Sequence, residues 1–345
     1  MKASYSIGWD IGGAHLKVAC IDSNSKVHFV EQIATPLWKG LECLDKSIPI
    51  MIKKLPSGTH THALTMTAEL VDVFENREAG LNSLINLCEE LIGNDISFYT
   101  VQGELLNLNN ARNKLEEIAS ANWYASAVYV ASRIDSGLFI DVGSTTTDII
   151  PFSNNKLMHR GHDDQSRLRF DELVYTGVIR TPLMALTQKV PFCGEWQSLA
   201  AEHFATTADI YRILECITEE DDLMDTADGK AKNIECSVRR LARMVGTDSN
   251  KVEYNDWNKL AEYFEEVHLQ SLTRSILRVL SNSDGNKTTI VGAGTGRFLI
   301  KKVAQRLNMP YIEFSELCDT ESELSDKCNT CAPAVALAQL NRLQK

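Results

Sequence analysis

The stretch Asp141-Val-Gly-Ser-Thr-Thr-Thr-Asp148 decides the fold. The apolar, β-prone residues 137–140 before it predict a strand that ends at Asp141. Gly143 lets the backbone turn and brings amide N–H groups to the tip, and the threonines that follow favour a returning strand through residues 149–150. Amide and hydroxyl donors suit phosphate oxygens, and carboxylates suit a hard cation such as Mg²⁺. The stretch therefore predicts a phosphate- and Mg²⁺-binding hairpin, with an ordinary tight turn as the alternative.

The same construction occurs far earlier in the chain, at Asp10-Ile-Gly-Gly-Ala-His-Leu-Lys17. A strand is predicted before Asp10, a returning strand over residues 16–22 and a third strand over residues 27–33. An internal repeat of a phosphate hairpin predicts two pseudo-symmetric lobes around a central cleft. We expect an N-terminal lobe over residues 1–135 and a C-terminal lobe over residues 136–345.

The rest of the chain alternates between helical and strand patterns, which predicts the α/β class. Before the second hairpin, helices are predicted over residues 41–54, 79–92 and 122–133, and strands over residues 62–66 and 96–101. Residues 156–255 are less regular and predict an inserted, mainly helical substrate region, with helices over residues 200–217 and 236–245. Later elements are predicted as helices over residues 256–280 and 332–343, strands over 288–291 and 311–314, and a helix that ends at 307.

The composition favours a soluble, cytoplasmic protein that handles small molecules. The chain has 345 residues, of which 44% are hydrophobic and 23% are charged, as expected of a globular protein. A net charge of −11 argues against a nucleic-acid-binding surface. No apolar run approaches membrane-spanning length, and residues 1–6 predict no secretory signal. The residues leave the oligomeric state open.

The cysteines predict free thiols. They number nine and are scattered, which suits a reducing compartment. Cys328 and Cys331 form the one close pair, and a buried or incidental thiol pair is favoured there, with a zinc site as the alternative.

A third glycine motif, Gly292-Ala-Gly-Thr-Gly-Arg297, lies between a predicted strand and a predicted helix. A dinucleotide fingerprint is one interpretation, but the third glycine comes one residue early and Arg297 stands in its place. The favoured interpretation is a turn that lets a nucleotide or diphosphate approach the backbone, where the helix N-terminus attracts an anion.

In this order, the three motifs resemble those of the superfamily of acetate kinase, sugar kinases, heat-shock chaperones and actin. Residues 10–17 look like its phosphate 1 motif, residues 141–148 like its phosphate 2 motif, and residues 292–297 like its adenosine motif. The resemblance implies a ribonuclease H-like, actin-like ATPase fold, with two pseudo-symmetric lobes around a central cleft and a helical insertion.

Longer runs resemble one group within the hydantoinase/oxoprolinase branch of that superfamily. They are Thr65-Met-Thr-Ala-Glu-Leu-Val-Asp72, Tyr175-Thr-Gly-Val-Ile-Arg-Thr-Pro-Leu-Met184, Glu202-His-Phe-Ala-Thr-Thr-Ala-Asp-Ile-Tyr-Arg212 and Arg239-Arg-Leu-Ala-Arg243. The group is associated with tetrahydromethanopterin-linked one-carbon metabolism in methanogens and methylotrophs. Its archaeal members are similar to a transferase of methanofuran biosynthesis, which joins an aminomethylfuran diphosphate to the phenol of tyramine or γ-glutamyltyramine and releases pyrophosphate. The resemblance therefore implies an Mg²⁺-dependent transferase that acts on a phosphoanhydride-activated substrate.

The superfamily resemblance also implies roles for the motif residues. Asp10 and Asp148 are expected to be catalytic and, together with Asp141, to hold Mg²⁺, often through water. Contacts to ATP or to a diphosphate substrate are expected from Gly12, Gly13, Lys17, Gly143, Ser144, Thr145, Thr146, Gly292, Ala293, Gly294 and Arg297. For Lys17, an outward direction from the returning strand is the alternative.

If the acceptor is a phenol, a carboxylate near it would act as general base. Glu69 is the first candidate, because it follows the end of a predicted strand. Further candidates for contacts to the substrate are Asp72, Arg180, Glu202, Asp209, Arg212 and Lys230. For each of them, a solvated surface charge or a helix cap is the alternative.

Other functions stay open at this point. An ATP-dependent small-molecule kinase would use the same hairpins to transfer the γ-phosphoryl group. A hydantoinase-like ATPase would cleave a cyclic amide, although enzymes of that type resemble much longer chains with a partner subunit. A non-enzymatic, nucleotide-driven switch is the remaining class.

Overall fold

A computed structural model describes residues 3–282 and 288–343. The ends of the predicted lobes, at residues 1–2 and 344–345, lie outside the described residues. The strands are β1 (Ser4–Ile11), β2 (His15–Asp22), β3 (Val27–Ala34), β4 (Thr59–Met66), β5 (Ile96–Tyr99), β6 (Leu105–Asn107), β7 (Ser136–Val142), β8 (Thr147–Ser153), β9 (Lys156–Leu157), β10 (Leu173–Val174), β11 (Lys189–Phe192), β12 (Glu195–Ser198), β13 (Thr289–Ala293) and β14 (Tyr311–Glu313). The helices are α1 (Glu42–Lys54), α2 (Arg77–Ile92), α3 (Leu108–Asn113), α4 (Leu115–Ile118), α5 (Asn122–Ala131), α6 (Asp164–Phe170), α7 (Leu183–Leu186), α8 (Thr207–Ile213), α9 (Ile234–Met244), α10 (Tyr254–Leu280), α11 (Arg297–Arg306), α12 (Ser322–Thr330) and α13 (Ala332–Leu343).

The first sheet has the strand order β3-β2-β1-β4-β5-β6. Strands β1, β4 and β5 are parallel, whereas β2, β3 and β6 pair antiparallel with their neighbours. Helix α13 packs on β1, where the hydroxyl of Ser6 donates to the carbonyl of Ala338 at 2.8 Å. The small side chains of α13 permit this close approach. Because β1, β4 and β5 run in one direction, their carboxyl ends meet at one edge of the sheet, which is where open α/β sheets bind ligands.

The second sheet has the order β10-β8-β7-β13-β14, and β9 pairs with β8. Strands β7 and β8 flank the hairpin of residues 143–146, as predicted from the apolar run before Asp141 and from the threonines after Gly143. Helices accompany both sheets, so the predicted α/β class is confirmed.

The chain divides into two compact units. The first unit comprises Met1–Phe139, Ile150–Asp164 and Ile312–Lys345, and the second comprises Ile140–Ile149 and Gln165–Tyr311. The lobe boundary after residue 135 and the insertion over residues 156–255 stay predictions.

Two local differences from the predicted elements fall within residues 156–255. The helix predicted over residues 200–217 is shorter, because a capping box between Thr206 and Asp209 starts α8 at Thr207. The hairpin β11–β12 was not predicted, although its turn residues Cys193 and Gly194 have φ values of 50° and 87°. A residue followed by Gly between two short β-prone runs is the signal for such a turn.

Two further observations concern membranes and thiols. Along the described ranges, no helix combines the length and the apolar character needed to cross a membrane. The nine cysteines are free thiols, and Cys328 and Cys331 are both buried.

Candidate active site

The first glycine hairpin joins β1 to β2 in the first unit. Asp10 is 3% exposed, and its Oδ2 atom lies 4.0 Å from Nζ of Lys17. The amide of Gly12 donates to the carbonyl of His15 at 2.9 Å, which closes the turn, and the carbonyl of Gly13 accepts from Leu37 at 3.0 Å. The side chain of Lys17 therefore points towards Asp10, and the alternative that it points outward from β2 is excluded.

A buried hydroxyl lies next to this acid on the neighbouring strand. Thr65 of β4 pairs with Asp10 in the register of the sheet and is 1% exposed. Its Oγ1 atom is buried and has no hydrogen-bond partner within the described part of the chain. A carboxylate and an unsatisfied hydroxyl side by side offer oxygen ligands that suit a hydrated cation.

Glu69 is fully buried where the chain leaves β4. Its Oε1 atom accepts a hydrogen bond from Oγ of Ser120 at 2.8 Å, whereas its Oε2 atom is buried without a partner among the described residues. Burial raises the pKa of Glu69, and the nearby charge of Arg77 opposes this rise. Arg77 itself lies 3.3 Å from Asp164. A carboxyl group with a raised pKa and one free oxygen can take a proton from a bound substrate.

The second glycine hairpin joins β7 to β8 in the second unit. The amide of Gly143 donates to the carbonyl of Thr146 at 2.9 Å and closes a four-residue turn. The Oγ atom of Ser144 is buried and has no hydrogen-bond partner among the residues that the structure describes. A buried hydroxyl at the tip of a glycine turn offers a donor to a phosphate oxygen.

The run that follows residue 175 lies directly on this hairpin. The amides of Ile179 and Arg180 donate to the carbonyl of Ser144 at 3.1 and 2.9 Å. Gly177 is required there, because a Cβ atom at this position would overlap the backbone of Ser144. Nη1 of Arg180 lies 3.3 Å from Oγ1 of Thr145. The structure therefore brings the predicted substrate contact Arg180 to the predicted phosphate hairpin.

The third glycine motif also meets the second hairpin. Gly294 has a φ of +81°, and a Cβ atom there would overlap Oδ1 of Asp141 and the carbonyl of Val142. The amide of Gly296 donates to the same Val142 carbonyl at 2.8 Å, and α11 begins at Arg297. Nη1 of Arg297 donates back to the carbonyl of Gly294 at 3.3 Å. The turn of residues 292–296, with Gly292 and Ala293 at the end of β13, thus lies against the end of β7.

Asp148 forms an ion pair on the other side of this hairpin. Its Oδ1 atom accepts from Nη2 of Arg167 at 2.6 Å, and the two side chains are 14% and 2% exposed. The same Nη2 atom donates to the carbonyl of Glu172 at 3.0 Å. Asp148 therefore anchors α6 and the start of β10 to β8, whatever else it binds.

Asp209 and Arg212 belong to a buried network of charges. Asp209 accepts from Nε of Arg240 at 2.8 Å, and Arg212 donates to Asp222 at 2.6 Å and to Ser237 at 3.0 Å. Burial raises the pKa of Asp209, and the charge of Arg240 opposes this rise. These contacts hold α8 to α9 and to the loop between them, so the two residues have a structural role here.

The remaining predicted contacts are surface side chains. Asp72, Glu202 and Lys230 are all exposed. Asp72 lies in the loop that carries Glu69, whereas Glu202 precedes α8 and Lys230 lies in the loop before α9. The structure gives them no role in either hairpin.

The donor sets fit Mg²⁺ better than zinc. Among residues 3–282 and 288–343, no three His, Cys, Asp or Glu side chains come close enough together to hold a metal ion by themselves. Mg²⁺ needs only one or two carboxylates, because waters and substrate phosphates supply its other ligands. Asp10 with the Thr65 hydroxyl, and Asp141 beside the turn at Gly294, offer carboxylates of that kind.

Three residues of these sites were not predicted as site residues. Ser120 has no sequence signal, because a serine with a φ of +48° looks like any loop residue. Arg167 is one of several arginines in its segment, and the sequence does not show which of them is buried. Thr65 lies within the run of residues 65–72 that resembles the family, which was the available signal.

The two sheets and the glycine hairpins define an α/β protein with the actin-like ATPase fold, as predicted. A solved structure of acetone carboxylase without nucleotide has this fold, with a TM-score of 0.56 and 9% identity over 98% of this chain and 70% of that chain. The chain belongs to the hydantoinase/oxoprolinase family, which matches residues 60–340.

Two named relatives are synthases from archaea. The (4-{4-[2-(gamma-L-glutamylamino)ethyl]phenoxymethyl}furan-2-yl)methanamine synthase of Methanocaldococcus jannaschii is 33% identical over 290 residues, which are 84% of this chain and 86% of the relative. The enzyme of the same name from Methanococcus vannielii is 32% identical over 182 residues, which are 52% of this chain and 81% of the relative. These comparisons confirm the predicted branch of the superfamily, and they identify the chain as an enzyme.

Proposed function

We propose that this enzyme is a transferase of methanofuran-type cofactor biosynthesis. It joins an aminomethylfuran diphosphate to the phenol of γ-glutamyltyramine, or of tyramine, and releases pyrophosphate. The observation that carries the proposal is the match, over 84% of the chain, to a synthase whose name contains a phenoxymethyl link to a furan. That link is an aryl ether, and the bond between its oxygen and the furan methylene is the one formed in the proposed reaction.

The second unit supplies donors for the diphosphate. Ser144 offers an unsatisfied hydroxyl, Thr145 and Arg180 stand together at the hairpin, and the turn at Gly294 brings backbone close to Asp141. Donors that are already in place where negative charge develops stabilise the transition state. In this reaction the charge develops on the leaving diphosphate.

The proposed reaction breaks one C–O bond and forms another. The bond between the furan methylene and the diphosphate breaks, and its electron pair leaves with pyrophosphate. The phenol oxygen forms the new bond to the same carbon, and its proton passes to a general base, for which Glu69, with its free Oε2 atom, is the candidate. Burial raises the pKa of Glu69, which makes its carboxylate a stronger proton acceptor than an ordinary glutamate. Mg²⁺, held by Asp10 or Asp141, would neutralise diphosphate charge.

A kinase is the second candidate, because the same donors would hold the phosphates of ATP. It is less supported than the synthase, since the named relatives are synthases. The test is to incubate the protein and Mg²⁺ with an aminomethylfuran diphosphate plus γ-glutamyltyramine or tyramine, and separately with ATP plus each acceptor. Pyrophosphate release in the first reaction alone is expected. ADP formation in the second would replace the synthase with a kinase or an ATPase.

Two serine variants test whether the hairpin of residues 143–146 takes part in pyrophosphate release. Ser144→Ala is expected to lower the rate of pyrophosphate release about tenfold or more, because it removes one donor to the leaving group. Ser281→Ala is the matched control, since Ser281 is exposed and its hydroxyl only donates to the carbonyl of Arg278 at the end of α10. Equal rates for the two variants would remove Ser144 from the site.

A further inference from the structure

A cavity of about 710 Å³ lies in the first unit. It is lined by Asn76, Arg77, Glu78, Leu81 and residues 112–117, which belong to the start of α2 and to the corner between α3 and α4. Its volume is in the range of sites that bind small molecules.

The cavity lies next to residues that surround Glu69. Arg77 lines the cavity and also contributes to the electrostatic environment of the Glu69 carboxyl group. In the first turn of α2, a Cβ atom at Gly80 would overlap the carbonyl oxygen of Glu69, so helix and loop are in direct backbone contact. A ligand at Glu69 and a ligand in the cavity would therefore be neighbours.

Glu69 and the cavity both lie at the carboxyl ends of parallel strands. The amide of Val101, just after β5, donates to the carbonyl of Glu117 at 2.8 Å, and Met66 at the end of β4 forms a bridge with Ala119. The corner between α3 and α4 thus follows the edge of the sheet at which open α/β folds bind their ligands.

The cavity carries equal numbers of opposite charges. Its cations are Arg77, Arg112 and Lys114, and its anions are Glu78, Glu116 and Glu117. Arg112 donates to Glu89 at 2.6 Å, Nζ of Lys114 lies 3.1 Å from Glu117, and Arg77 pairs with Asp164 at 3.3 Å. The N-terminus of α2, a helix of 16 residues, adds a partial positive charge that favours a carboxylate, although Asn76 already caps the amide of Ala79. This combination is complementary to a zwitterion and not to a ligand of one sign.

We propose that the cavity binds the α-amino-acid end of the γ-glutamyl group of the acceptor, while the phenol end of the same molecule lies at Glu69. The assignment rests on the proposed function. The α-carboxylate faces the cations at residues 77, 112 and 114, and the α-ammonium faces the glutamates at 78, 116 and 117. Tyramine has no such group, so the cavity selects the γ-glutamyl acceptor over tyramine.

The test measures binding by calorimetry without any furan diphosphate, so it does not depend on turnover. The probes are γ-glutamyltyramine, tyramine, glutaryltyramine, which lacks the ammonium group, and 4-aminobutyryltyramine, which lacks the carboxylate. The wild-type protein is expected to bind γ-glutamyltyramine about tenfold more tightly than either single-charge analogue.

Lys114→Ala is expected to reduce the preference for γ-glutamyltyramine over tyramine about fivefold, and Lys114→Glu to reduce it further. Lys114 is 44% exposed, so neither change threatens folding. Lys54→Ala is the matched control, because Lys54 is an exposed lysine of the same unit in a 2.6 Å pair with Glu31. It is expected to leave the preference unchanged.

Two outcomes would overturn the assignment. One is equal affinity of the wild-type protein for all four probes, and the other is a loss of tyramine binding in Lys114→Ala as large as the loss of γ-glutamyltyramine binding. Failure of the proposed function looks different, since pyrophosphate would then not be released with either acceptor while the binding preference persisted.

Discussion

Asp148→Asn is expected to destabilise the protein by about 2–3 kcal/mol. Removing one partner of a buried ion pair costs about 3–5 kcal/mol, because the other charge stays buried without compensation. Here Arg167 is 2% exposed and lies 2.6 Å from Asp148. The expected loss of stability is smaller than about 3–5 kcal/mol, because the asparagine oxygen still accepts from Arg167 and Arg167 still donates to the carbonyl of Glu172 at 3.0 Å.

The assay is urea denaturation at pH 7, with and without Mg²⁺. Asp171→Asn is the control, because Asp171 pairs with Arg278 at 2.7 Å in the same unit, with exposed fractions of 30% and 51%. An exposed pair contributes less than about 1 kcal/mol. Asparagine also tolerates the left-handed backbone at this position, where φ is 57°. A small loss is therefore expected for Asp171→Asn.

The double variant Asp148→Leu/Arg167→Met separates the ion pair from the side-chain volume. It is expected to recover much of the stability, because it leaves no charge buried alone. Equal unfolding midpoints for Asp148→Asn and Asp171→Asn would refute the anchoring role. If Asp148→Asn then also lost Mg²⁺-dependent turnover, Asp148 would be a metal-binding residue and not a structural one.

Three further predictions concern the two sites. Glu69→Gln should abolish pyrophosphate release yet stabilise the protein at pH 8, since burial raises the folded pKa of Glu69 above its ordinary value of 4.5. The contribution of Glu69 to stability is therefore fully present below pH 4.5 and is lost as the pH rises through the raised pKa. Urea midpoints of the wild type that rise from pH 4 to pH 8 relative to those of the variant would contradict this. Ser120→Ala should move the ascending limb of kcat/KM against pH to higher pH, because the Ser120 hydrogen bond lowers the pKa of Glu69 and its loss raises that pKa. An unmoved limb would exclude Ser120 as a positioning residue. Gly294→Ala should destabilise the protein by more than the roughly 1–2 kcal/mol of a left-handed alanine, because its Cβ atom also meets Asp141. Gly229→Ala is its control in urea denaturation, with a φ of +66° and open space around it, and equal losses would contradict the clash.

The glycine hairpins were predictable because their signals are local. An apolar run, an acid and a glycine define the ends of β1 and β7, and the structure places Asp10 and Asp141 at those ends. The structure adds that the second and third motifs touch, through Gly294 and Asp141. The spacing of the motifs in the sequence does not predict that contact, because the two residues lie 153 positions apart.

The role of charged residues was harder to predict, because it depends on which faces are buried. Asp209 and Arg212 lie three positions apart on a short helix and look like a surface pair. Every residue of α8 from Thr207 to Ile213 is buried, so the side chains of Asp209 and Arg212 both take part in a buried network with α9. Ser120 is a similar case, since only its left-handed backbone and its contact with Glu69 show what it does.

The phosphate hairpin by itself does not determine the reaction. Amides and hydroxyls that grip phosphate oxygens serve a phosphoryl group in transfer and a leaving diphosphate equally well. The difference lies with the acceptor, because a phenol has a pKa of about 10 and needs a base stronger than an ordinary carboxylate. Glu69 is the candidate for that base, since it is fully buried and burial raises its pKa. Variants at Ser144 and Arg180 should therefore impair any phosphoanhydride reaction of this protein. Variants at Glu69 should impair only a reaction that needs this base, and variants at Lys114 should change which acceptor is preferred.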